Sequence, residues 1–292
     1  MHNVMQSDIN LTPTGSPFEI AREGQPITGR SWGNASSCKS GVLLVHGLGA
    51  HSGWFEAFAR RLKVKQIYAL AYDQIGFGKR RHQNFSSCQQ WLDDLEFVYA
   101  YLREQVGERP IYLIGNSMGA LVVHCIAPAV CPAGIALLSP GYAGNTATFT
   151  FGYRLKVMLK SWLEPDRELS LPYGSSSFVA AESTRAWVDH DPDCRLSVTG
   201  KMMSEVAKLS NLASRQAGLI KCPTLVVTAG MDKVVDNRAV STIFDKLSIP
   251  SKRRKHFVDA YHDLLFDPAV DEVAKEVLDW MSCDSRCLCS PG

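Results

Sequence analysis

Three common signals are missing from this chain, and each absence argues against a class of protein. Its 31 basic and 29 acidic side chains nearly cancel over 292 residues, so the formal charge of +2 disfavours a dedicated nucleic-acid surface. No apolar run approaches the ~18 residues that a membrane-spanning helix needs, and residues 1–17 lack the apolar centre of a signal peptide. No Gly-rich phosphate loop or dinucleotide fingerprint occurs. We therefore expect a cytoplasmic protein with no nucleic-acid partner and no cofactor, whose oligomeric state the composition leaves open.

The cysteines form no disulfide framework. There are nine, an odd number, and their spacing does not repeat, so reduced thiols are expected. Cys283, Cys287 and Cys289 cluster near the C-terminus, but no second cluster supplies further zinc ligands and the ending does not match a prenylation signal. We predict a last helix over residues 268–281, a flexible tail over residues 282–292 and no metal site.

Apolar segments are present in a regular order. After two short antiparallel strands between residues 18 and 32, β-branched runs alternate with amphipathic helix patterns. This alternation predicts an α/β fold, with a mostly parallel twisted sheet covered by helices on both faces. The alternation breaks in one long stretch that has helical character but no convincing strand. The predicted organisation is a flexible segment 1–17, a core of residues 18–142 and 222–281, and an insertion of residues 143–221.

A candidate nucleophile lies at the end of one predicted strand. Residues 111–114 run into the pentapeptide GNSMG at residues 115–119, and a helix pattern follows. This order is typical of a nucleophile elbow, in which small residues let a strained turn lift a serine hydroxyl out of the sheet. The pentapeptide alone also occurs by chance, so the surrounding sequence has to support it. Ser117 is the candidate nucleophile, and Gly115 and Gly119 are the glycines of its turn.

A second glycine turn lies upstream, where the strand of residues 41–45 runs into His46, Gly47 and Leu48. In acyl transfer, backbone N–H groups stabilise the developing oxyanion, and one such donor contributes about 3 kcal/mol. The expected donors are the N–H of the residue after the nucleophile, Met118, and the N–H of Leu48 in this turn. His46 and Gly47 would support the turn. A tight turn without a catalytic role fits its glycines alone equally well.

A serine nucleophile needs a base and an acid that orients the base, and after such an elbow they follow in the order Asp, then His. Asp232 comes just after the apolar strand of residues 224–230, and His262 lies in a loop after the last strand. The alternative acid, Asp236, fits a helix start better, and the alternative base, His256, falls within a predicted strand. We predict Asp232 and His262 as the partners of the serine.

Together these motifs resemble the α/β-hydrolase superfamily, and within it the branch of monoacylglycerol lipases and lysophospholipases. The resemblance covers most of residues 18–281 and includes a D-x-x-G-x-G turn at residues 73–78. It implies the α/β-hydrolase fold, with the insertion as a helical cap. The sequence departs from the family pattern at Gln74 and Asn116, where His is common, and at Arg80 or its neighbour, where Ser is usual. These departures leave the three candidate catalytic residues unchanged.

The cap contains an unusual segment, residues 149–163, which is apolar, aromatic and basic with no acidic residue before Glu164. Such a helix is suited to contact a membrane surface or to form one wall of an acyl pocket. The alternative is a helix whose apolar side simply covers the sheet.

The expected function is that of a serine carboxylic-ester hydrolase that acts through an acyl-enzyme on a small-molecule or lipid ester. The resemblance favours a monoacylglycerol lipase or lysophospholipase, with transient peripheral contact at a membrane surface through the cap. A small-ester carboxylesterase and a peptidase or amidase of the proline-iminopeptidase type are alternatives. A non-catalytic ligand-binding protein on the same scaffold is another, since fold does not determine function. The peptidase would need cap carboxylates to hold a substrate amine, and the candidates are Glu164, Asp166, Glu168 and Glu182.

Overall fold

The computed structural model describes residues 11–22 and 25–287, and within these ranges ten strands form two sheets. The central strands are buried along their whole length, which explains their continuous apolar sequences. The strands are β1 (Ser16–Ile20), β2 (Ile27–Trp32), β3 (Ser40–Val45), β4 (Ile67–Tyr72), β5 (Ile111–Asn116), β6 (Gly134–Leu138), β7 (Glu168–Ser170), β8 (Ser197–Thr199), β9 (Thr224–Ala229) and β10 (Lys252–Phe257).

Eight α-helices accompany these strands in the described part of the chain. They are α1 (Glu56–Lys63), α2 (Gln89–Val106), α3 (Met118–Val130), α4 (Phe151–Leu163), α5 (Glu182–Asp189), α6 (Gly200–Gln216), α7 (Asn237–Lys246) and α8 (Val270–Cys287). The longer ones are amphipathic. In α2, for example, Trp91, Leu95, Val98 and Leu102 are buried as one stripe, as helical spacing requires.

The large sheet has the strand order β1-β2-β4-β3-β5-β6-β9-β10. In this sheet β1 and β2 are antiparallel to their neighbours. The six strands β4, β3, β5, β6, β9 and β10 are all parallel to one another. Alternate residues of β3 belong to different cores: Leu43 packs with residues of α2 and α3, whereas Leu44 packs with residues of α1 and α8. The predicted α/β fold, a mostly parallel sheet covered on both faces, is confirmed.

The sheet brings the candidate residues to one edge. His46, Ser117, Asp232 and His262 follow β3, β5, β9 and β10, respectively. Because parallel strands end at the same edge of a sheet, these four side chains start from neighbouring positions. The insertion, which contains α4, α5, α6, β7 and β8, lies between β6 and β9 in the chain.

The insertion contains strands that the sequence did not predict. β7 and β8 pair antiparallel, with Leu169 opposite Val198. The expectation of no strand in this region was therefore wrong. Each strand has only three residues, which is too short for an alternating pattern to be recognised.

The chain ends also differ from the predicted boundaries. β1 begins at Ser16, and Thr14 Oγ1 donates a hydrogen bond to the buried carboxylate of Glu56, so the packed part of the chain begins before residue 18. α8 continues to Cys287 rather than ending at Met281. The outer parts of the two predicted flexible segments, residues 1–10 and 288–292, lie outside the described residues, as does Cys289.

Candidate active site

Ser117 occupies a strained turn between β5 and α3. Its backbone has φ 53° and ψ −114°, a combination that L-residues rarely adopt. The two flanking glycines are required by close packing. A Cβ at Gly115 would lie 2.4 Å from the carbonyl oxygen of Gly119, and a Cβ at Gly119 would lie 2.1 Å from that of Val45. The backbone thus has the conformation that the pentapeptide predicts.

His262 lies between Ser117 and Asp232. Its Nε2 is 3.0 Å from Ser117 Oγ, and its Nδ1 is 2.7 Å from Asp232 Oδ2. When Nδ1–H donates to Asp232, Nε2 is left to accept the hydroxyl hydrogen of Ser117. Burial alone lowers the pKa of His262, but the charge of Asp232 and its hydrogen bond outweigh burial and raise the pKa above its ordinary value. The three side chains therefore have the arrangement of a nucleophile, a base and an orienting acid.

The loop after β9 fixes the orientation of Asp232. Its Oδ1 accepts hydrogen bonds of 2.8 Å from the backbone N–H groups of Val234 and Val235, which leaves Oδ2 for the imidazole of His262. The side chain of Asp232 has no exposed surface. A buried carboxylate with both oxygens hydrogen-bonded is held in one orientation.

The alternative acid and base lie elsewhere. Asp236 caps α7, where its Oδ1 accepts a hydrogen bond of 2.9 Å from the N–H of Arg238. His256 is an exposed residue of β10, and its Nδ1 lies 2.9 Å from Thr228 Oγ1. The structure does not bring either residue to Ser117.

The turn after β3 packs against the elbow. A Cβ at Gly47 would lie 3.2 Å from the Cβ of Ser117. Leu48 and Met118 line the cavity beside Ser117. Met118 is the first residue of α3, where a backbone N–H has no acceptor within the helix. These positions suit two oxyanion donors, and that role of Leu48 and Met118 stays a prediction.

His46 holds this turn in place. Its Nε2 accepts a hydrogen bond of 2.9 Å from the backbone N–H of Gln74, so the proton is on Nδ1, which donates to the carbonyl of Gly47 at 2.8 Å. Burial disfavours the charged ring and lowers the pKa of His46 to about 4, so the ring is neutral near neutral pH. Gln74 also donates from Nε2 to the carbonyl of His46 at 2.7 Å. Gln74, where the family commonly has His, therefore supports the turn.

A second buried carboxylate, not singled out from the sequence, lies beside the imidazole. Asp263 accepts hydrogen bonds from Asn116 Nδ2 at 3.4 Å and from the N–H of Leu265 at 3.2 Å. Burial raises the pKa of Asp263 to about 6, against the opposing effect of the His262 charge. Asn116 thereby connects the elbow to the histidine loop. The one signal in the sequence was that these two residues adjoin Ser117 and His262.

A cavity of about 690 Å³ opens over Ser117 between the core and the cap. Most of the lining residues are apolar or aromatic, and α3, α4 and α6 supply more than half of them. Of the described residues that line it, Arg154 alone carries a charge. A pocket of this size with apolar walls suits a ligand with a long apolar portion.

The cap carboxylates considered for a peptidase do not line this cavity in the described part of the chain. Glu164 is paired with Lys160 at 2.5 Å and with Arg167 at 2.7 Å. Glu168 is paired with Arg195 at 2.6 Å. Cations within the cap thus neutralise these two carboxylates away from Ser117.

Helix α4 combines a cavity wall with an exposed apolar surface. Val157, Met158 and Trp162 line the cavity, but Trp162 is also 81% exposed. Phe151, which does not line the cavity, is 82% exposed. None of its residues is buried. The segment predicted as a helix is helical, but it does not cover the sheet with a buried face.

A comparison with known families agrees with this geometry. The sequence profile of the Hydrolase_4 family, which is described as serine aminopeptidase S33, matches residues 36–269. The chain belongs to the Hydrolase_4 family. The matched segment runs from before the turn after β3 to beyond His262, so it contains every candidate site residue.

Individual members of the α/β-hydrolase superfamily are similar to this Hydrolase_4 chain over nearly its whole length. Monoglyceride lipase of Homo sapiens is 25% identical over 292 residues, which cover 95% of both chains. The crystal structure of Paleococcus ferrophilus monoacylglycerol lipase has a TM-score of 0.77 at 22% identity and covers 92% of this chain and 99% of its own. The structure of a soluble variant of monoglyceride lipase from Saccharomyces cerevisiae, in complex with a substrate analog, has a TM-score of 0.83 at 15% identity. The match covers 95% of this chain and 98% of the yeast chain. The α/β-hydrolase fold is therefore confirmed.

The described residues contain neither a membrane-spanning helix nor a metal-binding group. No described helix is both long enough and apolar enough to cross a membrane. Within the same residues, no group of three or more His, Cys, Asp and Glu side chains is arranged to hold a metal ion. A reaction without a cofactor stays a prediction from the sequence.

Proposed function

We propose that this chain is a serine hydrolase of fatty-acyl esters, of the monoacylglycerol lipase or lysophospholipase type. The observation that carries the proposal is the contact of Asp232 with His262 and of His262 with Ser117, beside an apolar cavity. The lipase relatives and structural neighbours support the lipid class of ester.

In the proposed reaction, His262 Nε2 removes the hydroxyl proton as Ser117 Oγ attacks the ester carbonyl carbon. The N–H groups of Leu48 and Met118 stabilise the resulting oxyanion. Asp232 keeps the proton of the neutral ring on Nδ1 and stabilises the imidazolium, which then gives its Nε2 proton to the leaving alcohol as the ester C–O bond breaks. Water, deprotonated by His262, hydrolyses the acyl-enzyme and restores the serine.

The lining of the cavity favours an ester over a peptide with a free amine. A substrate ammonium group would need a carboxylate, and no described residue of the lining supplies one. Glu164 and Glu168 already have cationic partners in the cap. The description of the family as serine aminopeptidase therefore does not decide the substrate of this chain.

The experiment that tests this proposal is fatty-acid release from 1-oleoylglycerol by the purified protein and by Ser117→Ala. We expect release by the wild-type protein, and a kcat at least about 10⁴-fold lower in the variant. A fluorophosphonate probe should label the wild-type protein alone.

Other outcomes would replace the proposal. Cleavage of a proline naphthylamide, with none of oleoylglycerol, would indicate the peptidase. Ser117-dependent cleavage of short p-nitrophenyl esters alone would indicate a small-ester carboxylesterase. A folded protein that neither reacts with the probe nor hydrolyses any of these substrates would indicate a non-catalytic binding protein.

We further propose that α4 brings the cavity to a membrane surface. Phe151 and Trp162 are exposed on this helix, and Arg154 and Lys156 add positive charge, a combination suited to an anionic lipid interface. Sedimentation with phosphatidylserine vesicles measures this contact, and Trp162→Glu should weaken it. Unchanged sedimentation of the variant would argue against α4 as the contact.

A further inference from the structure

A short cap segment, residues 191–195, packs on the turn that carries Leu48. We call residues 191–195 the strap. The backbone N–H of Arg195 donates a hydrogen bond of 2.8 Å to the carbonyl of Gly49. Gly49 has φ +81°, and a Cβ there would lie 2.3 Å from the carbonyl oxygen of Arg195. The strap and the turn are thus in direct backbone contact one residue after Leu48.

Asp191 adds a charged contact from the strap. Its Oδ2 accepts hydrogen bonds from His51 Nε2 at 2.8 Å and from Trp54 Nε1 at 2.9 Å. His51 Nδ1 accepts from the N–H of Gly53 at 3.1 Å, so the proton of this ring is on Nε2 and points to Asp191. The side chain of Asp191 is 7% exposed. Burial alone raises the pKa of Asp191, but the hydrogen bonds from His51 and Trp54 outweigh it and lower the pKa, which keeps the acceptor charged.

The core holds the other side of the same segment. Asp73 Oδ1 accepts a hydrogen bond of 2.8 Å from the N–H of Ser52, and Gln74 bonds to His46 as described above. Residues 46–54 are therefore held between a core loop on one side and the strap on the other. Asp191 itself does not line the cavity over Ser117 in the described part of the chain.

We propose that Asp191 is a positioning residue through which the cap fixes the oxyanion turn. The proposal rests on the function proposed above, with Leu48 as one of the oxyanion donors. Such a donor stabilises the tetrahedral species more than the bound ester, so displacement of the turn lowers kcat while substrate binding is retained. The cap then contributes to the chemical step as well as to the pocket wall.

Asp191→Asn tests this, with Asp193→Asn as the matched control on the same strap. Asp193 pairs with Lys79 at 2.9 Å and Arg81 at 3.6 Å, both on the surface. In the described structure, neither ion pair of the Asp193 carboxylate involves residues 46–54. An amide at position 191 keeps the shape but loses the charge that accepts both N–H groups. We expect kcat for oleoylglycerol to fall about 10-fold to 10²-fold in Asp191→Asn with KM unchanged, and both to be unchanged in Asp193→Asn.

Two ligands separate positioning from a general loss of structure. A long-chain trifluoromethyl ketone forms a tetrahedral adduct with the serine, and its affinity should fall by the same factor as kcat in Asp191→Asn. A long-chain 1-O-alkylglycerol ether, which cannot be cleaved, should bind all three proteins equally. Unchanged kcat and ketone affinity in Asp191→Asn would overturn the proposal. Loss of affinity for the ether in Asp191→Asn would also overturn it, and so would losses of kcat and ketone affinity in Asp193→Asn as large as those in Asp191→Asn. In either case the strap would act on closure of the cap.

Thermal melting by circular dichroism establishes that each variant is folded. If Asp191→Asn does not fold, Trp54→Phe removes one of the two donors to Asp191 and keeps the aromatic packing. It should lower kcat and ketone affinity together by a smaller factor, and no change would overturn the proposal. Failure of the proposed function is distinct, because the wild-type protein would then release no fatty acid.

Discussion

The elbow and helix α4 face the same cavity but are held in opposite ways. Around the elbow, a Cβ at Gly119 would lie 2.1 Å from a carbonyl oxygen, so the packing has no room for one more carbon. In α4 no residue is buried, and a Cβ at Gly152 would meet nothing within 4 Å. Reacting atoms need fixed positions, whereas an entrance tolerates movement. In the proposed function, the elbow therefore fixes the reacting serine, whereas α4 forms an entrance that tolerates movement.

The largest effect should come from the core, in Asp232→Asn. An amide at this position favours the wrong imidazole tautomer, so kcat should fall about 10⁴-fold with little change in KM. Asp236→Asn is the matched control on the same loop, because Asn caps a helix as well as Asp does, and its kcat should stay within about twofold of wild type. Steady-state hydrolysis of one ester measures both. A comparable loss in Asp236→Asn, with Asp232→Asn active, would reverse the assignment of the acid.

Gly119→Ala should have the next largest effect, since it adds one carbon where the elbow packs on β3. The backbone has to move away from the carbonyls of Val45 and His46, and the serine moves with it. We expect a loss of about 10²-fold in kcat. The free energy of unfolding should fall by about 1–3 kcal/mol, as measured by denaturant titration. Wild-type activity in a folded Gly119→Ala would show that the elbow is less constrained than its packing implies.

A smaller change, in pH dependence alone, is expected from Asp263→Asn. The base must be neutral to accept a proton, so activity is lost as the pH falls through the pKa of His262. Burial lowers the pKa of His262, but the charges of Asp232 and Asp263 both raise it. Burial raises the pKa of Asp263 itself to about 6, so this carboxyl group is ionised at neutral pH. The variant loses one charge, so the acid limb of kcat/KM should shift to lower pH, with activity at neutral pH retained.

Asp259→Asn is the control for this shift. Asp259 lies on the same loop and is exposed, so its charge is screened by solvent and the acid limb should not move. A shift to higher pH in Asp263→Asn, or an equal shift in both variants, would contradict the assigned effect.

The parts that could be predicted from the sequence are those with local signals. The strand, the glycine turn and the helix around Ser117 are adjacent in the chain. Asp232 likewise closely follows the end of β9. Chain order restricts the base to a histidine after Asp232, and His262 could be preferred to His256 because His256 falls within a predicted strand. The periodicity of α2 and the apolar runs of the central strands are also local signals, and they indicated the fold class.

The parts that could not be predicted depend on contacts between distant residues. Asp191 meets His51 across 140 positions of sequence, and neither residue type has a local signal for that pairing. Asp263 was overlooked because a carboxylate after a loop histidine is common on surfaces, and its burial is known only from the fold. The three-residue strands β7 and β8 depend on each other for hydrogen bonds and have no pattern of their own.

The smallest predicted effect belongs to α4, in Gly152→Ala. Because open space surrounds the added carbon and Ala costs less backbone entropy in a helix than Gly, the variant should be as stable as wild type or more stable by up to about 1 kcal/mol. Hydrogen exchange of the α4 amides should slow, while hydrolysis of a short soluble ester stays unchanged. Together with Gly119→Ala, this compares one added carbon in the two walls of one cavity. A loss as large as that of Gly119→Ala would mean that α4 packs against other protein atoms in solution, and the cap would then be as tightly held as the core.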